Sequence, residues 1–388
     1  MQQNIFMSEN QMNETDVPSS GIAWSVAASL LQSHKPSLGY AGMVGGIHNR
    51  VLILGGGANF PDAMPWEGGK KHYSDEIYVL GNLDGKYEWN EKNLSTLPEP
   101  IAYAGSATTD RGFVYAGGIN ENGISSKAFL LNWDEASQQV YCKPLPELLH
   151  AVSSPSMVAS GSIVFLMCGE DENKASDKFY HLNLDSPILQ WEVLPNVPLS
   201  LSHGAAVIQD QTIYLFGGRS KQTSGRSKLY QTSFAYDLEN GVWHRLADIS
   251  DGIQATPFTA GSAFAAGTEF VIMAGGDKGD VFSRIETLQS QIAETDNPTD
   301  KKLLIAEKNK LLIHHEGFST DVFLYHIKTN HWSRLGNLPV ASQLTGVANV
   351  WEGKLVLSSG EIRPGVRSPK VLMGEVSLEF LKPDKPEI

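Results

Sequence analysis

A short apolar run that ends in small residues, usually paired glycines, recurs six times along this chain. It reads VLILGGG at 51–57, FVYAGG at 113–118, IYLFGG at 213–218 and FVIMAGG at 270–276. Two weaker copies are IVFLMCGE at 163–170 and KLVLSSGE at 354–361. Four to six consecutive apolar residues before a turn predict a strand buried on both faces. The glycines suit a turn with φ > 0 and a close approach of backbones. A length of 388 residues would by itself suggest two or three domains. Six copies of one unit point instead to small sheets sharing a continuous core.

Three further elements accompany each run. A strand follows it, as in EIYVL (76–80), AFLLNW (128–133), KFYHLNL (178–184), SFAYDL (233–238), DVFLYHI (321–327) and VLMGEVSLEF (371–380). Then comes a tryptophan with apolar residues three and six positions on: Trp191/Leu194/Val197, Trp243/Leu246/Ile249 and Trp332/Leu335/Leu338. Trp89 with Leu94 and Leu97 is a stretched copy, and Tyr141 takes the tryptophan's place in the second repeat. A segment of small residues precedes each glycine run, as in AYAGSAT (102–108), HGAAVI (203–208) and TGVANV (345–350). Small residues suit a crowded innermost strand. The unit therefore has four strands, and it resembles kelch-type repeats. A β-sandwich is the alternative, but six four-part copies argue against it. The expected fold is all-β, a six-bladed kelch-type β-propeller over residues 21–388, preceded by a flexible segment at 1–20. The last repeat lacks its tryptophan element, and Trp24, Ala27 and Leu30 supply the same spacing at the other end. A strand at about 22–31 is thus expected to complete the last blade and hide its open edge. Residues 284–316 break the pattern: Ile285, Leu288 and Ile292, then Leu304, Leu311 and Leu312, fall at helical spacing. They predict a helical hairpin inserted in the fifth blade, either a decoration or a cover for one wall of a pocket.

Composition narrows the function classes. The formal net charge is −13, which makes nucleic acid a poor partner. An anionic ligand would need its own local Arg or Lys. Cys142 and Cys168 form neither a disulfide framework nor a zinc pattern. The histidines show no metal-ligand spacing, so no metal is expected. No apolar stretch of about 18 residues exists. The first residues carry no early Lys or Arg and no apolar core of a secretory signal, so the expectation is a cytoplasmic protein.

In such a blade the turns after the glycine runs and the connections between blades emerge on one face. That face collects Asn59, Phe60, Arg219, Asp277 and the run from Glu361 to Arg367, with Tyr103, His150 and His203 from the connections. The run GEIRPGVR (360–367) places Glu361, Arg363 and Arg367 in one stiff loop. Two readings stand side by side. The charges form a surface ion pair that fixes the loop, or the carboxylate carries a proton while an arginine fork clamps a substrate carboxylate. Asn59, Tyr103, Arg219, Asp277 and Arg363 are the candidates for holding a substrate. The aromatic residues of the long loop 55–80, Phe60 and Trp66, read as packing.

These residues resemble the N-acetylneuraminate epimerases, or sialic acid mutarotases. The resemblance rests on G-E-x-x-P-G-x-R at Gly360, Glu361, Pro364, Gly365 and Arg367, on GGGANF and GGKKHYSDEIYVL within 55–80, and on the insertion after GGDKGDVF at 275–282. The order differs from the family's: here the long glycine loop comes first and the G-E piece last, as in a circularly permuted chain. A closed ring tolerates such re-cutting. The resemblance implies an isomerase acting on a small acidic sugar without a cofactor, with Glu361 and Arg367 as its active-site pair. A propeller that only binds a glycan or a protein, and a mutarotase of another acidic sugar, are the alternatives.

Overall fold

A computed structural model of the chain describes residues 21–32, 35–222 and 225–377. It is a six-bladed β-propeller with two helices. The first blade runs through Ala41–His48, Val51–Asn59, Ile77–Leu83 and Lys86–Trp89. The next four sheets follow in chain order, each four antiparallel strands, with innermost strands Gly105–Thr109, Ser156–Ser160, Ala205–Gln209 and Ser262–Ala266. The sixth sheet takes Val347–Trp351, Lys354–Ser358 and Lys370–Val376 from one end of the chain and Ile22–Ser29 from the other. Ile22 pairs with Val376 and Ser29 with Lys370, so this seam is a strand ladder. Gly374 lies under the Trp24 ring, where a Cβ would come within 2.8 Å of it. The segment 1–20 expected to be flexible, and the end of the strand expected at 371–380, lie outside the described residues.

The glycine pair has a specific task. Its first residue (Gly56, Gly117, Cys168, Gly217, Gly275 and Ser359) has φ of 54–75°, and its second has φ of 85–121°. The N–H of the second residue then reaches the connection entering the next blade. Gly57 donates to Ile101 O, Gly118 to Val152 O, Gly169 to Leu201 O and Gly218 to Phe258 O, all at 2.8–2.9 Å. Gly276 uses Ser342 Oγ and Gly360 uses Tyr40 O. Glycine takes this double left-handed turn without the Cβ penalty, and the turn rivets each blade to its neighbour.

Tryptophan makes the second rivet, at the rim. Trp191 Nε1 donates to Pro146 O, Trp243 to Pro195 O and Trp332 to Ala247 O, in each case towards the preceding blade, at 2.9–3.2 Å. Trp89 donates to Ser29 O at 2.7 Å, from the first blade to the sixth. Two expected equivalents differ. Tyr141 is 55% exposed and Leu94 is 84% exposed. In that second blade Trp133 fills the core instead, from the strand Ala128–Asp134.

At the axis, the residues that open the six inner strands close a ring. Gly42, Tyr103, Ser154, His203, Ala260 and Thr345 all have φ of 51–69°. Each N–H donates to the carbonyl of the equivalent residue one blade back, at 2.7–3.1 Å, until the cycle returns to Gly42. This backbone ring separates a narrow channel of about 190 Å³ from a wider cavity on the glycine-turn face.

Between the second and third strands of the fifth sheet the chain forms α1 (Asp280–Glu294) and α2 (Pro298–Ile313). Helix α1 begins four residues before the expected boundary. It buries Ile285 and Leu288, whereas α2 buries none of its side chains. Asn297 caps α2 by accepting the Thr299 N–H, with Pro298 at the first helical position. No helix among the described residues is long and apolar enough to cross a membrane.

Candidate active site

The wider cavity measures about 470 Å³, in the range of small-molecule sites. Its floor is the backbone ring, through Tyr103, Ser154, His203, Ala260 and Thr345. Its walls follow one register. The residues directly after the glycine pairs are Ala58, Ile119, Glu170, Arg219, Asp277 and Glu361, and all but Ala58 line the cavity. Each of these five forms a backbone bridge with the residue preceding a floor position, as in Ser202 with Arg219 and Leu344 with Glu361.

Glu361 opens a hairpin of Glu361–Arg363 and Val366–Arg367. Its Oε1 accepts two hydrogen bonds at 2.7 Å, from Arg367 Nη1 and from the Gly365 N–H. Gly365 has φ 83° and packs on Pro65, where a Cβ would approach to 2.9 Å. The long loop of the first blade thus braces the hairpin that carries Glu361. Arg367 is only 3% exposed and does not line the cavity. Its Nε donates to Ala58 O at 3.2 Å, and its guanidinium lies 5.0 Å from the Phe60 ring centroid. The fork expected to clamp a substrate is occupied by protein groups behind Glu361. Tyr103 stands beside this pair; burial first, then the Glu361 charge, push its hydroxyl up to about 12.

Two expected substrate contacts are placed elsewhere. Asn59 is buried and donates to Gly39 O at 3.1 Å, one residue past the cavity register. Arg363 Nη1 donates to Ile313 O at the end of α2. His150 is exposed, and the floor position in its connection is Ser154.

Arg219 and Asp277 do face the cavity. Arg219 Nη2 pairs with Glu170 at 3.0 Å, and its Nη1 donates to Ser227 Oγ at 3.0 Å. Ser227 donates through its N–H and its hydroxyl to Glu286 of α1, and Phe282 of the same helix lies under the Arg219 guanidinium. The insertion therefore holds Arg219 from two sides. Ser202 Oγ donates to Glu170 at 2.7 Å and stands 3.0 Å from His203 Nδ1. Burial, with the Arg219 charge, keeps His203 well below the ordinary histidine value. Asp277 is held above the usual carboxylate range, chiefly by burial.

Comparison with known proteins shows the family. A family model described as N-acetylneuraminate epimerase matches residues 145–383, more than half of the sequence. The chain belongs to the N-acetylneuraminate epimerase family. A protein named N-acetylneuraminate epimerase from Haemophilus influenzae (strain 86-028NP) is 24% identical over 257 residues, 65% of this chain and 64% of the relative. One of the same name from Pasteurella multocida (strain Pm70) is 22% identical over 232 residues, 60% of this chain and 58% of the relative. The aligned stretch thus spans just under two thirds of these relatives' own length. The solved structure of a protein called YjhT superposes with a TM-score of 0.60 at 18% identity, covering 86% of this chain and 94% of that one. The last likeness speaks for the fold.

Sequence reasoning missed Glu170, Lys71, Thr259, Phe282, His315 and Phe318, all on the cavity wall. Glu170 had a signal, since it stands in the weaker copy CGE where Glu361 stands in SGE. His315 and Phe318 follow α2 in irregular chain, where no periodicity marks them.

Proposed function

We propose that this protein is a mutarotase that interconverts the α and β anomers of N-acetylneuraminate by acid–base ring opening. The observation that carries the reading is Glu361. Its carboxylate lines the cavity at 24% exposure while two donors fix one oxygen. It stands in the G-E-x-x-P-G-x-R pattern and in a chain of this family.

The chemistry is a proton relay. A base takes the proton of the C2 hydroxyl, the bond from C2 to the ring oxygen breaks, and that oxygen takes up a proton. The open keto form turns its other face and recloses, with no atom or electron gained or lost. In this reading Glu361 accepts and returns the proton. A positioned proton-transfer group contributes about 10²–10⁴-fold, ample for a reaction that also runs unaided. Arg367 positions Glu361 rather than touching the sugar. The substrate carboxylate falls to Arg219, whose planar fork keeps three of its five N–H groups beyond the two that bond Glu170 and Ser227. The seat of the acidic sugar is then between Arg219 and Glu361.

We also read the chain as a circular permutation of the family's order. The family match begins at 145, which leaves GGGANF at 55–60 outside it.

The test is to release α-N-acetylneuraminate freshly and follow its anomeric equilibration by proton NMR. The protein should shorten the approach to equilibrium in proportion to its concentration. An unchanged rate rejects the reading and leaves a propeller that only binds.

A further inference from the structure

We infer that Tyr103 is the second proton-transfer group of the reaction, giving its hydroxyl proton to the ring oxygen while Glu361 takes the proton of the C2 hydroxyl. This inference rests on the mutarotase reading of the same cavity, which leaves the source of that second proton unnamed. Its starting point is a gap at the first blade. That blade contributes Gly42 to the floor and Ala58 to the wall register, the two smallest residue types. Tyr103, on the floor of the second blade, leans into the space: a Cβ on Gly42 would come within 2.6 Å of the Tyr103 ring. Arg367 enters from the sixth blade, with its Nε on Ala58 O and its Nη1 on Glu361. Tyr103 is half-buried and lines the cavity, as Glu361 does. The two side chains thus meet one guanidinium from neighbouring positions on the cavity surface.

The surroundings of the Tyr103 hydroxyl suit a donor that ionises briefly and recovers. Burial first, then the Glu361 carboxylate, keep it protonated, while the Arg367 charge and a hydrogen bond from Arg367 favour its anion. Lys71, exposed on the long loop of the first blade, holds its Nζ 5.1 Å from the Tyr103 ring centroid. His203 on the same floor is not the donor. Ser202 Oγ gives its hydrogen to Glu170, so His203 gives its Nδ1 proton to Ser202 and its Nε2 carries none. Burial, with the Arg219 charge, keeps that ring neutral.

The cycle closes on these two groups. As Glu361 takes the C2 hydroxyl proton, the bond from C2 to the ring oxygen breaks. Its electron pair stays on that oxygen, which takes the Tyr103 proton. The open keto form then lies between a protonated Glu361 and a tyrosinate backed by Arg367 and Lys71. Rotation about the bond from C2 to C3 presents the other carbonyl face. The tyrosinate removes the proton of the freed hydroxyl, its oxygen adds to C2, and Glu361 returns its proton to the carbonyl oxygen. Both side chains end as they began, and neither proton is exchanged with water.

The experiment measures kcat and KM for anomer equilibration of N-acetylneuraminate by proton NMR. Wild type, Tyr103→Phe, Lys71→Met and the double variant are compared. Tyr103→Phe keeps the ring over Gly42 and removes only the hydroxyl. It should lower kcat by about 10²-fold or more with KM little changed. Lys71→Met should lower kcat severalfold in the wild-type background and not at all once Tyr103 is Phe, because its charge then has no tyrosinate to favour. A Tyr103→Phe variant as fast as wild type overturns the inference and leaves the mutarotase reading standing. So does a larger loss at Lys71→Met than at Tyr103→Phe, which would move the donor to Lys71. Lys71 is exposed, so its variant carries the test if Tyr103→Phe lowers the urea midpoint; an unchanged kcat there overturns the inference. A wild type that does not speed equilibration overturns the mutarotase reading and this inference with it.

Discussion

Two glutamate–arginine pairs border the cavity, and they are turned in opposite directions. Glu361 and Arg367 belong to one hairpin; the arginine is 3% exposed and the glutamate 24%. Glu170 and Arg219 come from adjacent blades, and both face the cavity at 20% and 18%. The first pair offers a carboxylate braced from behind. The second offers a guanidinium braced from the side, by Glu170, Ser227 and Phe282. Under the proposed mechanism the same two side-chain types serve as a proton carrier or an anion clamp according to which of them the turn buries.

The largest effect expected from breaking this arrangement is at Glu361. Glu361→Gln keeps the shape and removes the proton carrier, so kcat should fall by about 10²–10⁴-fold. The proton NMR assay checks this, and a variant as fast as wild type removes Glu361 from the mechanism. Arg219→Met comes next. It should raise KM by about 10–100-fold with kcat far less changed, the cost of one charge-assisted hydrogen-bond set. Were Arg219→Met instead to lower kcat at constant KM, the assignment of the two pairs would be reversed.

How far this contrast is legible in the sequence depends on register. The six glycine runs mark each blade, because a left-handed pair plus a riveting N–H leaves few residue types to choose from. The position after the run lies on the cavity wall in five of the six blades, Glu170 included. Asn59 fails by a single place: Ala58 holds the register, and Asn59 turns back to Gly39. Which member of a pair faces the cavity is not written in composition. It follows from Phe60 and Ala58 O receiving Arg367, contacts made by a loop some 300 positions away along the chain. The insertion shows the same limit. Its helices are periodic, but Phe318 and His315 line the cavity from the unpatterned stretch that returns to the sheet.

A smaller effect separates the pairs by stability rather than rate. Arg367→Met strands a half-buried carboxylate and the Ala58 carbonyl together. It should cost about 1–3 kcal/mol, read as a lower urea midpoint at unchanged slope. Arg219→Met removes the more accessible arginine, leaves Glu170 its Ser202 hydrogen bond and strands no backbone carbonyl, so it should cost less. Equal losses would mean that the two arginines carry the same structural role, against the difference in their burial.

The smallest effect concerns Asp277, which holds the same register as Glu170 and Glu361 but answers to burial rather than to an arginine. Burial raises its folded-state value above 3.8. A carboxyl raised in this way favours the fold fully below its unfolded value, and that contribution is lost as pH rises through the folded value. Asp277→Asn should therefore raise the melting temperature relative to wild type at pH 7, with the gain shrinking towards pH 4. Asp321 supplies the opposite sign nearby. Burial acts on it too, but hydrogen bonds from Lys278 and Arg334 outweigh burial and hold it below 3.8. Its contribution is present above the unfolded value and lost as acid titrates the folded one, so Asp321→Asn should lower the melting temperature at pH 7 more than at pH 4. Thermal scans of both variants from pH 4 to 8 decide the point. Two curves of the same sign would show that a cation, not burial, sets Asp277, and the cavity would then hold a third charge pair.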